Sequence, residues 1–255
     1  MNVRKALSLT LRCIRLTLFV LCAAYALLNL YTYLQDKDKK AILFVGDSVT
    51  DARITYTLFR PYSLWRYCYA HHLPIYHETL SAHGGWCRLV GEREDLNWYN
   101  CGIGGATLAD NGKRSAIVKR LKTLVRTRHF DYIIVSGGIN DLPLGRWEGD
   151  DNTYSLHAMD DICATLQQTG TKVGFIIPYY VGKSNMEEMQ RYGDSLQVIC
   201  RRHDVPYLDL RNSIVRLDTP DGIRQYGIKG TDWLHCNEKA YQIIADTICQ
   251  WMKTL

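Results

Sequence analysis

Three observations predict an α/β fold built on a parallel sheet of about five strands with helices on both faces. Short apolar runs that read as buried strands, at 41–45, 97–100, 132–135, 172–177 and 206–210, alternate with longer helical stretches. The last of these stretches carries Ala240, Ile243, Ile244, Ile248 and Trp251, the spacing of one helix face. Polar, glycine-containing motifs follow the first three runs, at the strand ends where parallel sheets bind ligands.

The chain opens on a different kind of segment. Arg4, Lys5, Arg12 and Arg15 precede an apolar run from 16 to 34, which the polar cluster at 35–40 closes. At about 1.5 Å per residue the run nearly matches a hydrocarbon core about 30 Å thick. An uncleaved signal anchor or transmembrane helix is the expectation for residues 1–40. A cleaved signal peptide, with Ala24-Tyr25-Ala26 as a small-residue cleavage site, and a buried core helix are the alternatives. Tyr31 and Tyr33 suit an interfacial belt at the outer end. Residues 1–40 hold seven Lys/Arg against two Asp/Glu, which accounts for the whole formal charge of +5. The remaining 215 residues are neutral, so the basic balance gives no support for nucleic-acid binding. Four basic residues before the span against three just after it favour a single-pass protein of the cell membrane, amino terminus in the cytoplasm and residues 41–255 outside.

Residues 41–255 show no repeat, low-complexity stretch or linker and read as one domain. The first strand, 41–45, ends in Gly46-Asp47-Ser48. Residues 52–85 then form an aromatic-rich insertion with Tyr56, Phe59, Tyr62, Trp65, Tyr67, Tyr69 and Tyr76. It reads either as a lid or sugar-stacking face or as an insertion that buries its own aromatics. Cys68, His71, His72, His77, His83 and Cys87 are residue types that bind zinc, in a spacing that matches no standard site. A helix begins near Gly85-Trp86, and the second strand leads into Gly102, Gly104 and Gly105. The helix at 115–127 carries the run from Lys113 to Lys122, expected as a solvated face. Gly138-Ile139-Asn140-Asp141 follows the third strand. Helices at 154–168 and 186–202 flank the fourth, and Asp232-Trp233-Leu234-His235 leads into the last helix. Seven cysteines fall in the domain, an odd number without a repeating pattern, so no disulfide framework is indicated.

The motifs supply the residue types of acyl transfer. A serine hydroxyl needs an adjacent base, and His235 can be that base if Asp232 accepts its Nδ1–H. At a strand-to-helix junction the Ser48 N–H also meets developing negative charge, although Ser48 can equally serve as a helix cap. Gly105 lets the backbone approach a bound carbonyl, and the Asn140 amide can donate to the same oxyanion. Alternatively, Asn237 caps the last helix with His235 solvated beside it, Gly102, Gly104 and Gly105 form a flexible turn, and Gly137-Gly138 form a phosphate nest. Neither a phosphate-loop pattern nor G-x-S-x-G occurs.

The ordered set resembles the SGNH, or GDSL, hydrolase superfamily across nearly all of residues 41–255. Its four blocks match Gly46-Asp47-Ser48-Val49-Thr50, Asn100-Cys101-Gly102-Ile103-Gly104-Gly105, Gly138-Ile139-Asn140-Asp141 and Asp232-Trp233-Leu234-His235. Cys236 departs from the pattern, since a proline or apolar residue usually follows the histidine. The resemblance implies a three-layer α/β/α fold with a flavodoxin-like sheet. It implies a metal- and cofactor-free serine esterase or acyltransferase, with catalytic Ser48, Asp232 and His235 and an oxyanion hole from Ser48, Gly105 and Asn140. The expected activity is removal of short acyl groups, acetyl above all, from an envelope or extracellular glycan. An O-acyltransferase, a lysophospholipase or lipase and a non-catalytic envelope-binding protein are the alternatives. The expected partners are an acylated glycan or lipid substrate and the membrane.

Overall fold

In the computed structural model, the described residues are 3–51, 85–110, 112, 115–142, 153–182 and 185–255. Helix α1 (Val3–Asp36) leads through four residues to β1 (Ala41–Gly46) and the one-turn helix α2 (Ser48–Asp51). Then follow α3 (Gly85–Arg93), β2 (Asn97–Gly102), α4 (Ile117–Thr127) and β3 (Tyr132–Ser136). The chain continues through α5 (Thr153–Gln167), β4 (Lys172–Ile177), α6 (Met186–Arg202) and β5 (Tyr207–Asp209). The short helix α7 (Pro220–Tyr226) and the long α8 (Glu238–Met252) complete it.

The five strands pair in parallel in the order β2-β1-β3-β4-β5. Helices α3 and α8 pack together on one face, while α4, α5 and α6 pack in sequence on the other. Covered on both faces, Ile42, Leu43, Phe44 and Val45 of β1 are wholly buried, which explains why the strand reads as an unbroken apolar run. This is the doubly wound order whose direction reverses between β1 and β3, and the crevice beyond their carboxyl ends is its binding position. Ser48 stands there.

The first three strands each extend past the expected end, because Gly46, Cys101, Gly102 and Ser136 continue the ladder. Strand β5 is shorter, since the Asp209 carboxylate turns inward to accept from the Arg211 N–H at 3.0 Å and starts a 3-10 turn. The buried face of α8 is broader than its apolar stripe and takes in Tyr241, Ala245, Cys249 and Met252, because the helix packs against both its neighbour α3 and the sheet, where Trp251 covers Gly174. The sequence reading missed α7, which starts at a Thr219 cap with Pro220 in its first turn.

Within α1, Thr10–Leu28 has a mean hydropathy of 1.9 and none of it is buried in the protein, so the core-helix alternative is set aside. The stretch overlaps the run at 16–34 but lies earlier and includes Arg12 and Arg15. Most of the aromatic insertion lies outside the described residues, as do Cys68, His71, His72, His77 and His83. Cys87 is described and fully buried, its thiol donating to the Thr50 carbonyl at 3.6 Å. The eight described cysteines are all free thiols.

Candidate active site

The chain turns sharply where β1 ends. Asp47, only 1% exposed, accepts the Val49 N–H on its side chain at 2.9 Å, and its carbonyl accepts from Asp51. Asp47 therefore caps α2, which corrects the expectation that Ser48 could be the cap and leaves the serine hydroxyl for another partner. That partner is His235, whose Nε2 lies 3.1 Å from Ser48 Oγ. On the other side of the ring, Nδ1 lies 3.0 Å from Asp232 Oδ2. The Leu234 and His235 N–H groups donate to Asp232 Oδ1 at 2.8 and 2.9 Å. Burial raises the Asp232 carboxyl, but these two bonds and His235 together hold it below the usual carboxylate range. An ionised carboxylate so held favours an Nδ1–H tautomer and leaves Nε2 facing the serine.

The loop carrying this acid–base pair is fixed from several directions. The buried Tyr179 hydroxyl donates to the Leu234 carbonyl at 3.0 Å, and the Gly182 N–H donates to Trp233 O at 3.0 Å. The Ile228 N–H donates to His235 O at 3.1 Å. Asn237 does cap α8, accepting from Ala240 N at 3.1 Å, and its amide also donates to Gln225 O. The cap and the Asp232–His235 pair thus occur together rather than as alternatives. Cys236, the departure from the family pattern, is fully buried, and burial raises its thiol to about 12.

The α2 turn is wedged equally tightly. Trp86, at the start of α3, donates its indole N–H to Val49 O at 3.1 Å and packs edge-on against Phe44 at 5.2 Å. The Asn100 amide donates to Thr50 O at 2.8 Å, and its carbonyl accepts from Gly102 N at 2.9 Å. A Cβ on Gly102 would lie 2.2 Å from Asp51 N, so only glycine lets β2 approach α2 this closely. Arg120 donates to the Gly46 carbonyl at 2.7 Å and to Cys101 O. This half-buried clamp corrects the expectation of a solvated basic face on α4. Lys119 behaves as expected there, pairing with Asp110 at the surface.

Gly105 and Asn140 lie beside this centre on neighbouring loops. Gly105 has φ +73°, a left-handed conformation suited to glycine, and a Cβ there would meet nothing within 4 Å. Asn140 donates one amide hydrogen to Ala106 O at 2.9 Å, which holds its side chain next to the Gly104-Gly105 turn and leaves a second hydrogen on the same nitrogen. The buried Asp141 accepts Leu108 N on both oxygens at 3.0 Å and ties these two loops together. All the residues singled out for acyl transfer therefore stand in one region around the end of β1. Among the described residues no group of three or more His, Cys, Asp or Glu is placed to hold a metal ion.

Sequence reasoning missed Arg120 and Tyr179. Arg120 was legible in principle: it lies three residues after Ile117 and four before Leu124, on the buried stripe of α4. Tyr179 follows β4 with no motif around it and becomes visible only in three dimensions.

A sequence profile of the GDSL-like Lipase/Acylhydrolase family matches residues 44–243. No curated protein sequence matches the chain. Among solved structures, a protein of Lactobacillus plantarum aligns at TM-score 0.62 and 20% identity, over 85% of this chain and 97% of its own. A carbohydrate acetylesterase of Sinorhizobium meliloti, Est24, aligns at TM-score 0.61 and 13% identity, over 85% and 99%. The inhibitor-bound aryl esterase of M. smegmatis aligns at TM-score 0.62 and 14% identity, also over 85% and 99%. At these identities the structural likeness speaks to the fold. The profile begins inside β1, ends inside α8 and takes in all four motif-bearing loops, so the chain belongs to the GDSL-like lipase/acylhydrolase family of carboxylic ester hydrolases.

Proposed function

We propose that the protein is a serine esterase that removes short acyl groups, acetyl above all, from an envelope or extracellular glycan. In this reading α1 holds it at the cell membrane with the catalytic domain on the extracytoplasmic side. The observation that carries the chemistry is the hydrogen-bonded chain from Ser48 through His235 to Asp232, at 3.1 and 3.0 Å. The preference for acetylated carbohydrate is supported by likeness in fold to a carbohydrate acetylesterase.

His235 Nε2 takes the Ser48 proton as Oγ attacks the ester carbonyl, and Asp232 stabilises the imidazolium that forms. The negative charge that develops on the carbonyl oxygen is met by the N–H groups of Ser48 and Gly105 and by the Asn140 amide. Each such donor typically contributes about 3–4 kcal/mol to the transition state. His235 then protonates the leaving sugar oxygen, which departs as a hydroxyl; a water that gives its proton to the same imidazole attacks the acyl-enzyme, and the imidazolium returns that proton to Ser48 Oγ as the acid leaves.

The test is hydrolysis of p-nitrophenyl acetate and of acetylated oligosaccharides by the purified chain in detergent. Wild type turns over and Ser48→Ala does not; equal rates in both would sink the mechanism.

A further inference from the structure

The fold fixes which end of the domain meets the bilayer. All five strands are parallel, so every strand begins at one edge of the sheet and ends at the other. Helix α1 enters at the starting edge, four residues ahead of β1. Those four residues are not a free tether. Asn97 N donates to Lys40 O at 2.8 Å, which carries the β1–β2 ladder back by one residue. Lys39 pairs with Asp95 at 2.7 Å, and the Ala41 N–H donates to Asp131 at 2.7 Å. Only Lys37 and Asp38 lie between the end of α1 and these attachments, a reach of about 10 Å for the chain from Asp36 to Lys39.

Ser48 lies at the opposite edge. The six residues of β1 rise about 3.3 Å each, which places the serine about 20 Å beyond the point where the chain enters the domain. We infer that the Ser48 site faces away from the bilayer and takes acyl esters carried by a polymer or solute, not by the lipids of the membrane that holds the enzyme. The inference rests on the serine-esterase reading and on α1 crossing a membrane. Tilting the domain does not reverse it. With α3 and α8 on one side of the sheet and α4–α6 on the other, a domain lying flat still keeps a helical layer about 10 Å thick between Ser48 and the headgroups. Ending the membrane span at Leu28 instead of Leu34 leaves six further residues of α1 outside, about 9 Å of extra stand-off. A phospholipid acyl ester lies about 5 Å or more beneath the bilayer surface, so it would have to leave the membrane to reach the serine.

The experiment uses the full chain reconstituted in phosphatidylcholine–phosphatidylglycerol vesicles. Ser48 is labelled with a fluorescent fluorophosphonate, and energy transfer to a headgroup-labelled acceptor lipid gives its height. The expected height is about 20–30 Å above the surface. A label held within about 10 Å would overturn the inference, because one helical layer would then no longer separate site and lipid. Failure of the protein to float with the vesicles overturns it too, by removing the membrane. In the same vesicles, Ser48-dependent kcat/KM for a soluble acetylated oligosaccharide should exceed that for vesicle-held lysophosphatidylcholine by at least about tenfold, since the lipid ester cannot reach near-attack geometry in place. Faster cleavage of the lysolipid overturns the inference and leaves the serine mechanism standing. Failure of the mechanism itself looks different: a folded, floating protein with no label at Ser48 and no turnover of either ester, which removes both readings together.

Discussion

Asp47 is a buried carboxylate that opposes folding, and the size of that opposition can be worked out. The carboxyl is pushed up from its ordinary 3.8 to about 6, first of all by burial; the Val49 N–H and the charges of His235 and Arg120 offset only part of it. A raised carboxylic acid binds its proton more tightly in the folded state than in the unfolded chain. Stability from this group is therefore greatest below pH 3.8 and declines as the pH rises to about 6. At about 1.4 kcal/mol per pH unit, the cost above pH 6 is ~3 kcal/mol. Asp47→Asn keeps the shape and the oxygen that accepts from Val49 while removing the charge. Its stability relative to wild type should rise by ~3 kcal/mol between pH 3.5 and pH 8. The comparison across pH cancels any fixed cost of burying the amide. It also cancels Asp232, whose lowered carboxyl adds stability in both variants that is lost as the pH falls through its folded value.

The assay is urea unfolding of both chains in non-ionic detergent at the two pH values. A difference that does not change with pH would show that Asp47 carries no burial penalty. A difference of opposite sign would show the carboxylate to be stabilised by Arg120 as an ion pair, and either result refutes the reasoning. Activity should move the other way. Because the Asp47 charge is felt at His235, its removal should lower kcat by roughly tenfold, the size of about 1.4 kcal/mol of lost imidazolium stabilisation.

Asp232→Asn should reduce kcat on p-nitrophenyl acetate by about 10³- to 10⁴-fold with little change in KM, because the amide no longer fixes the His235 tautomer. Tyr179→Phe leaves the half-buried Leu234 carbonyl without this donor, at a cost of about 1–2 kcal/mol. It should lower kcat and the rate of fluorophosphonate labelling together, while KM stays constant. Arg120→Met should cost about 2 kcal/mol in urea unfolding through its bonds to the Gly46 and Cys101 carbonyls. Gly102→Ala should destabilise by about 1–3 kcal/mol or more, since its methyl meets the Asp51 backbone, and labelling of Ser48 reports whether the turn has moved.

The residues proposed to act on the ester were legible because their chemistry restricts both their type and their place in the chain order. A nucleophile after β1, a glycine after β2, an asparagine after β3 and a histidine before α8 can be read without coordinates, since a parallel sheet delivers its strand ends to one edge. The residues that hold this set in place were not legible to the same degree. Tyr179 reaches Leu234 across 55 positions, and Arg120 reaches Gly46 across 74. Tyr179 leaves no local pattern, whereas Arg120 leaves one, its place on the apolar stripe of α4, which still does not say which backbone carbonyls it meets. Asp47 lies between the two cases. Its place in the tripeptide was plain, but its role as cap and its burial depend on Trp86 and α3 closing over α2. A capping role alone would be served as well by Asn or Ser, without the charge. A carboxylate that costs the folded state ~3 kcal/mol at neutral pH, beside the imidazole proposed to accept the serine proton, is what a site shaped for catalysis rather than for stability would keep. The Asp47→Asn comparison measures both sides of that exchange in one protein.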